Sequence, residues 1–109
     1  MIEVRINYQG NQIVSFQVKG HAGFAPAGQD IYCAGVSAVA QTTLLGLCIN
    51  LSKQPEYQVE EGWLQCYLPA ELDQEDMEKA QIILSTMEAG MLAMKDAYSN
   101  FIKLEVRRS

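Results

Sequence analysis

The amino-acid sequence predicts an α+β fold: a mixed or antiparallel sheet with two helices packed on one face. Short segments in which apolar and polar residues alternate, as in half-buried strands, occur near the beginning, the middle and the end of the chain. Two longer segments have the apolar spacing of helices, and the resulting order is ββαββαβ. Since no linker or low-complexity tract interrupts the sequence, residues 1–109 are predicted to form one domain.

A hairpin is predicted at the start of the chain. Apolar residues alternate with polar residues over 2–8, which predicts a strand with one buried face. The same alternation over 14–18 predicts a second strand, whose buried face consists of Val14, Phe16 and Val18. Gly10 and Asn11 lie between the two strands, and both residue types tolerate the positive φ angles of a tight turn.

The first predicted helix covers a segment, residues 31–51, that carries no formal charge. Its 21 residues are enough to cross a bilayer. However, the segment contains five polar residues and lacks the aromatic or basic belt of a membrane helix. We therefore predict a buried central helix, apolar on nearly every face, which begins after an N-cap at Asp30 and runs to about Leu51.

The second half of the chain is predicted to add a hairpin, a helix and a strand. Residues 57–60 and 64–68 form the hairpin, which turns at Glu61 and Gly62. Asp73 is the expected N-cap of the second helix. The apolar seam of that helix consists of Met77, Ala80, Leu84, Met87, Met91, Met94 and Tyr98. The last strand has one apolar face, made of Ile102, Leu104 and Val106.

Charge and cysteine content argue against several functions. The net charge is -5 and the longest basic run is Arg107 with Arg108, so direct nucleic-acid binding is not expected. Three cysteines without C-x-x-C spacing, together with one histidine, do not make a recognisable zinc site. The N-terminus lacks the basic region and the long apolar stretch of a signal peptide, which favours the reducing cytoplasm and free thiols.

The segment most informative about chemistry is residues 20–33. It places His21, the one histidine, at the end of a strand and Cys33 in the first turn of a helix. Backbone N–H groups and the helix dipole favour an anion at that position, so a reactive thiolate is expected at Cys33. An imidazole within reach of the sulfur completes a Cys/His pair that can attack a carbonyl. Residues 20–29 hold three glycines, three alanines and a proline, which predicts a mobile loop.

Each of these residues also has a structural interpretation. Cys33 alone is typical of a small buried hydrophobic residue, and a lone His21 is typical of a loop brace. Cys48 and Cys66 are predicted to be packing residues, because they fall within an apolar helix and on an apolar strand face.

Three further residues carry two interpretations that the sequence leaves open. Asp30 caps the helix, orients His21, or does both. Ser37 lies one turn beyond Cys33, where its hydroxyl contacts the sulfur or a substrate, or instead bonds back to the Cys33 carbonyl. Phe24 anchors the loop or packs on an apolar substrate side chain.

Two groups of residues between positions 20 and 38 form a longer pattern. They are Gly20-His21-Ala22 and Gly28-x-Asp30-Ile31-x-Cys33-Ala34-x-Val36-Ser37-Ala38. The pattern resembles the signature of the ribosomal-processing cysteine proteases called Prp, and the likeness extends over essentially the whole chain. Tyr32 and Gly35 depart from it, since a smaller aliphatic residue and an alanine are usual there. The catalytic residue types are intact.

The resemblance implies a bacterial cytoplasmic endopeptidase. Such enzymes remove a short N-terminal extension from the large-subunit ribosomal protein numbered twenty-seven. Cys33 would be the nucleophile and His21 the proton donor and acceptor, with Asp30 and Ser37 in supporting positions. The family implies a homodimer and neither a metal nor an organic cofactor, and no membrane partner is expected.

A mechanism follows from the residues and the resemblance together. The Cys33 thiolate attacks the peptide carbonyl, His21 gives a proton to the leaving amine, and water releases the acyl-enzyme. The loop would order around the substrate and align His21 with Cys33. The residues expected to bind substrate in this loop are Gly20, Ala22, Gly23, Phe24 and Gly28.

Two other functions compete with this hypothesis. The first is a non-catalytic module that binds a ribosomal protein or an assembly factor, with Cys33 as an inert core residue. The second is a Cys/His acyltransferase or hydrolase that acts on a small metabolite. A deep preformed pocket would favour the small metabolite, and an open groove beside the loop would favour a peptide.

Overall fold

The structure, a computed structural model, describes residues 1–20 and 30–109 and confirms the predicted α+β fold. The order ββαββαβ is also confirmed. The elements are β1 (Ile2–Gln9), β2 (Gln12–Lys19), α1 (Asp30–Asn50), β3 (Glu56–Glu60), β4 (Trp63–Tyr67), α2 (Gln74–Ala97) and β5 (Ile102–Arg108). Of the predicted mobile loop at residues 20–29, only Gly20 belongs to the described residues.

The five strands form one mixed sheet in the order β3-β4-β2-β1-β5. Neighbouring strands are antiparallel except β1 and β5, which run parallel and pair Ile2 with Ile102. Helix α1 connects β2 to β3, and α2 connects β4 to β5. The starting strands β2 and β4 are antiparallel, and the two connections run towards opposite edges of the sheet. Because crossovers between parallel strands are nearly always right-handed, both helices are expected on the same face, and both pack there.

The first hairpin contains an irregularity that the alternation did not predict. Its turn lies at Gly10, with φ of 63°, as expected. However, the β1–β2 register shifts so that Asn7 pairs with Ser15 and the next residue, Tyr8, pairs with Ile13. Val14 is the extra residue of this β-bulge and is only half-buried, whereas Ile13 is buried in the core. The prediction that Val14 belongs to the buried face is therefore wrong.

The core lies between the two helices and the facing side of the sheet. Phe16 at the centre of β2 and Leu47 of α1 are fully buried there. α1 is long and apolar enough to cross a membrane by length and composition, but it packs on the sheet and on α2. The prediction that α1 is a buried central helix is therefore wrong for one side of the helix, where the apolar residues Ile31, Leu45 and Ile49 remain exposed.

Helix α2 begins as the sequence predicts. The Asp73 carboxylate accepts a hydrogen bond of 2.8 Å from the backbone N–H of Asp76, which makes it the N-cap. Four residues of the predicted seam are buried: Ala80, Leu84, Met87 and Met91. Tyr98 lies just beyond the helix, where its backbone N–H bonds to the carbonyl of Met94 and ends the last turn.

Candidate active site

Cys33 lies in the first turns of α1, which places its side chain near the N-terminal end of the helix. The helix begins at Asp30 itself, so Cys33 is its fourth residue rather than the predicted third. The Asp30 side chain is outside the described part of the chain, so its capping role stays a prediction. Cys33 is half-buried and its thiol is not part of a disulfide.

A small pocket of about 70 Å³ contains the exposed side of Cys33. Helix α1 contributes Cys33, Ser37 and Gln41, which are spaced by four residues and therefore share one helix face. The opposite wall comes from the sheet, where Val59 of β3 and Leu64 of β4 line the pocket. The pocket therefore depends on packing α1 against strands that follow it in the sequence.

Gly20 fixes the point at which the chain leaves β2 beside this pocket. Its φ is 86°, and its backbone N–H donates a 2.9 Å hydrogen bond to the carbonyl of Gly62. A Cβ at this position would lie 2.7 Å from the backbone oxygen of Met1. Only glycine adopts this positive φ and fits this close to the Met1 backbone without strain, so the backbone at this position is tightly constrained. Gly20 also lines the Cys33 pocket.

The other predicted loop residues cannot be placed in this way. His21 lies outside the described residues, and so do the predicted substrate-binding residues Ala22, Gly23, Phe24 and Gly28. Their predicted roles stay predictions. Of the predicted site, the structure brings together Gly20, Cys33 and Ser37.

Ser37 forms a side-chain hydrogen bond that differs from both predicted contacts of its hydroxyl. Its Oγ accepts a 2.9 Å hydrogen bond from Nε2 of Gln41, one turn further along α1. Accepting from Gln41 leaves the hydroxyl hydrogen of Ser37 to be donated to another group. Gln41 could have been assigned to the site from the sequence, because it continues the four-residue spacing of Cys33 and Ser37 on one helix face.

The remaining cysteines differ from Cys33 in their surroundings. Cys66 is buried on the core face of β4, and burial, with a smaller contribution from nearby Cys48, raises the pKa of its thiol to about 12. Cys48 is half-buried and packs against the core. Both are confirmed as packing residues.

Aromatic side chains hold the beginning of α1 in place. The Tyr32 ring stacks on Phe101 at a centroid distance of 4.6 Å, and the Tyr98 ring lies 4.6 Å away at a tilt of 49°. Tyr32 is one of the two departures from the family pattern. Since it immediately precedes Cys33, this cluster restrains the backbone that carries the thiol.

No group of three or more His, Cys, Asp or Glu side chains is arranged to hold a metal within residues 1–20 and 31–109, whose side chains the structure describes. The described part of the site is therefore a thiol, a hydroxyl and a carboxamide on one helix face, opposite an apolar wall. Such an arrangement is suited to nucleophilic attack by sulfur on an electrophilic carbon, with hydrogen-bond donors beside it.

Sequence comparison finds a match over nearly the whole chain. A family model described as cysteine protease Prp matches residues 1–103. A protein named ribosomal processing cysteine protease Prp, from Bacillus subtilis (strain 168), is 31% identical over 94 residues. This alignment covers 84% of each protein.

Solved structures share the fold. A crystal structure of a Streptococcus mutans protein matches with a TM-score of 0.88 and 21% identity, and the match covers 100% of this chain and 96% of that one. A Staphylococcus aureus structure, described as an essential ribosomal processing protease Prp with a covalently linked product peptide, matches with a TM-score of 0.82 and 25% identity. That match covers 98% of this chain and 100% of the other.

Proposed function

The chain belongs to the Prp family of ribosomal-processing cysteine proteases, and from this membership we propose that its substrate is the N-terminal extension of large-subunit ribosomal protein number twenty-seven. The relative from Staphylococcus aureus that binds a product peptide supports a peptide as the substrate class. The observation that carries the proposal is the position of Cys33 on the first turns of α1, in a pocket that Gly20 also lines.

Cys33 is the proposed nucleophile and His21 the proposed proton carrier. The Cys33 thiolate adds to the carbonyl carbon of the scissile peptide, and the carbon–nitrogen bond then breaks as His21 gives a proton to the leaving amine. Water adds to the resulting thioester, which releases the new carboxylate and returns the thiol. Gly20, which immediately precedes His21, lines the same pocket as Cys33, and this supports the pairing of the two residues.

Ser37 and Asp30 are proposed to assist without forming a covalent bond to substrate. The Ser37 hydroxyl accepts from Gln41 and so can donate its own hydrogen to an oxygen that gains charge during the attack. Asp30, the first residue of α1, is proposed to orient His21 and to favour its protonated form. Neither role requires a metal or an organic cofactor.

The size of the pocket supports a peptide rather than a small metabolite. The part of the pocket that the described residues form has a volume of about 70 Å³, well below the roughly 300–1,000 Å³ typical of small-molecule sites. A peptide instead enters such a pocket with one side chain or the scissile bond, and the rest of the peptide lies on the surrounding surface.

We also propose that the enzyme is a cytoplasmic homodimer that pairs through the exposed side of α1. Six exposed residues recur at spacings of three and four along the described part of this helix, and none of the six is charged: Ile31, Ala34, Ala38, Thr42, Leu45 and Ile49. A two-fold axis brings the same patch of each copy together, so an uncharged patch avoids opposing like charges in a chain of net charge -5. Light scattering should show a dimer that Leu45→Glu dissociates, whereas Ile82→Glu on the exposed side of α2 leaves it intact.

Mass spectrometry of the extended ribosomal protein tests the activity. The wild type and the Cys48→Ala control should each yield one shortened product, whereas Cys33→Ala should yield none and remain folded. Turnover by Cys33→Ala would disprove the nucleophile. A substrate that stays intact with the wild type but co-purifies with it would instead indicate a binding module.

A further inference from the structure

The sheet edge beside the candidate active site has an apolar surface that the helices do not cover. In β3, Tyr57 pairs with Cys66 and Val59 pairs with Leu64. Cys66 and Leu64 are buried under the helices, so Tyr57 and Val59 lie on the same face of the sheet. Nevertheless, Tyr57 is 55% exposed and Val59 is 48% exposed. We call the surface formed by these two side chains the β3 face.

The β3 face is continuous with the pocket that contains Cys33. Val59 belongs to both, since it lines the pocket together with Ser37 and Gln41 of α1. Tyr57 extends the same face by two residues, away from the pocket. A peptide that is bound at Cys33 and continues along this edge of the sheet therefore contacts Val59 next to the pocket and Tyr57 farther out.

The spacing of the β3 face matches an extended peptide. Residues two apart on a strand project to the same side, about 6.5 Å apart, and the side chains of an extended substrate have the same repeat. A peptide that follows β3 can therefore set alternate side chains against Tyr57 and Val59. The pocket itself, at about 70 Å³, accommodates only a small part of such a chain.

We propose that the β3 face is the docking surface for an extended apolar segment of the peptide substrate, and that Val59 is a specificity-determining residue. This inference rests on the proposed function, because the occupant is the peptide that Cys33 cleaves. The contacts are made by apolar side chains before any bond changes, so they lower KM and leave the chemical step at Cys33 unaltered.

The experiment compares two matched substitutions on opposite edges of the sheet. Val59→Glu places a charge on the β3 face. Val106→Glu places the same charge on β5, where Val106 is 40% exposed and lies on the same side of the sheet, since it pairs with buried Ile6. The probe is a synthetic peptide that covers the N-terminal extension of ribosomal protein twenty-seven. Val59→Glu should lower kcat/KM at least about tenfold, through KM, and Val106→Glu should leave it unchanged.

Two controls keep folding and chemistry separate from docking. Circular dichroism should be the same in both glutamate variants, and iodoacetamide should alkylate Cys33 at the same rate in Val59→Ala as in the wild type, because that substitution adds no charge beside the thiol. If Val59→Glu does not fold, Val59→Ala replaces it, with an expected rise in KM of about threefold.

Three outcomes separate the two proposals. Equal kcat/KM for the two glutamate variants, with Cys33→Ala inactive, overturns the docking surface and leaves the proposed function intact. A loss confined to kcat for Val59→Glu also overturns it. If the wild type does not cleave the peptide, the proposed substrate is wrong and the docking inference falls with it.

Discussion

The Tyr32 ring lies flat against the Phe101 ring, with centroids 4.6 Å apart and planes only 11° from parallel. Tyr32 directly precedes Cys33 in α1, and Phe101 directly precedes β5. The stacked pair therefore joins the beginning of the helix that carries the thiol to the last strand of the sheet. Tyr98, at the end of α2, completes the contact.

Removing the ring of Tyr32 should destabilise the protein. Tyr32→Ala loses two aromatic contacts and buried apolar area, so we expect the free energy of unfolding to fall by about 2 kcal/mol. Tyr32→Phe keeps both contacts and should change it by less than about 0.5 kcal/mol. Urea denaturation of the three proteins provides the measurement. Equal losses for Ala and Phe would show that the hydroxyl, not the stacking, is responsible.

Replacing Gly35 with alanine should stabilise α1. Gly35 lies inside the helix, where glycine costs about 1 kcal/mol relative to alanine. An added Cβ would meet only the Met94 sulfur, at the ordinary contact distance of 3.8 Å. We therefore expect Gly35→Ala to raise the free energy of unfolding by up to about 1 kcal/mol. A lower melting temperature would show that the α1–α2 contact does not tolerate the methyl group.

The same substitution at Gly20 should have the opposite effect. Alanine is strained at a φ of 86°, and its Cβ would be 2.7 Å from the backbone oxygen of Met1. We expect Gly20→Ala to lower the free energy of unfolding by at least about 1 kcal/mol. Because Gly20 lines the Cys33 pocket, peptide cleavage should fall as well. Thermal melts and kcat/KM measured on one preparation test both effects, and unchanged values would contradict the strain argument.

The three thiols should react with iodoacetamide in a defined order. Cys66 is buried and its pKa is raised to about 12, so it should stay unmodified in the folded protein at neutral pH. Cys33 should be alkylated before Cys48 at mildly acidic pH if it is the nucleophile. Peptide mapping after timed quenching measures the order. Early modification of Cys66 would be inconsistent with the packing seen around β4.

Acid should weaken one particular link between a loop and α2. The Asp76 carboxylate accepts hydrogen bonds from the side chain and the backbone N–H of Ser52, and these bonds hold its pKa below the usual 3.8. A carboxyl whose pKa is lower in the folded state stabilises the fold above its unfolded pKa. That contribution is lost as the pH falls from about 3.8 through the lowered value.

Asp76→Asn tests this link. The variant should be less stable than the wild type at neutral pH and should lose less stability over the acid range just described. Glu61→Gln, in an exposed turn, serves as the control and should follow the wild type. The urea midpoint of each protein is measured as a function of pH. Parallel curves of midpoint against pH for Asp76→Asn and the wild type would contradict the proposed role of the Asp76 carboxylate.

The elements of the fold were predictable because each rests on a local pattern. Alternation identified β1, and the Asp73 carboxylate marked the start of α2. The bulge at Val14 was not predictable, because it is defined by the register against Asn7 and Tyr8. The strand order also depends on pairing between distant residues, such as Ile2 with Ile102.

The candidate site likewise contains residues that local spacing predicts and residues that depend on strand pairing. Cys33 and Ser37 follow from their spacing on one helix. Val59 could not be assigned to the site from the sequence, because it reaches the pocket only when β3 pairs with β4 at the sheet edge. The exposure of Val59 was not predictable either, because alternation shows which residues share a face of the strand but not whether a helix covers that face.

The parallel pairing of β1 with β5 has a consequence for the newly made chain. β1 precedes the other four strands of the sheet in the sequence, and its neighbour β5 follows them. On the ribosome, one side of β1 therefore remains unpaired until β5 has emerged. Until then, α1, which carries no charge after Asp30, has no complete sheet to pack against, so the nascent protein exposes an apolar helix until β5 has joined the sheet.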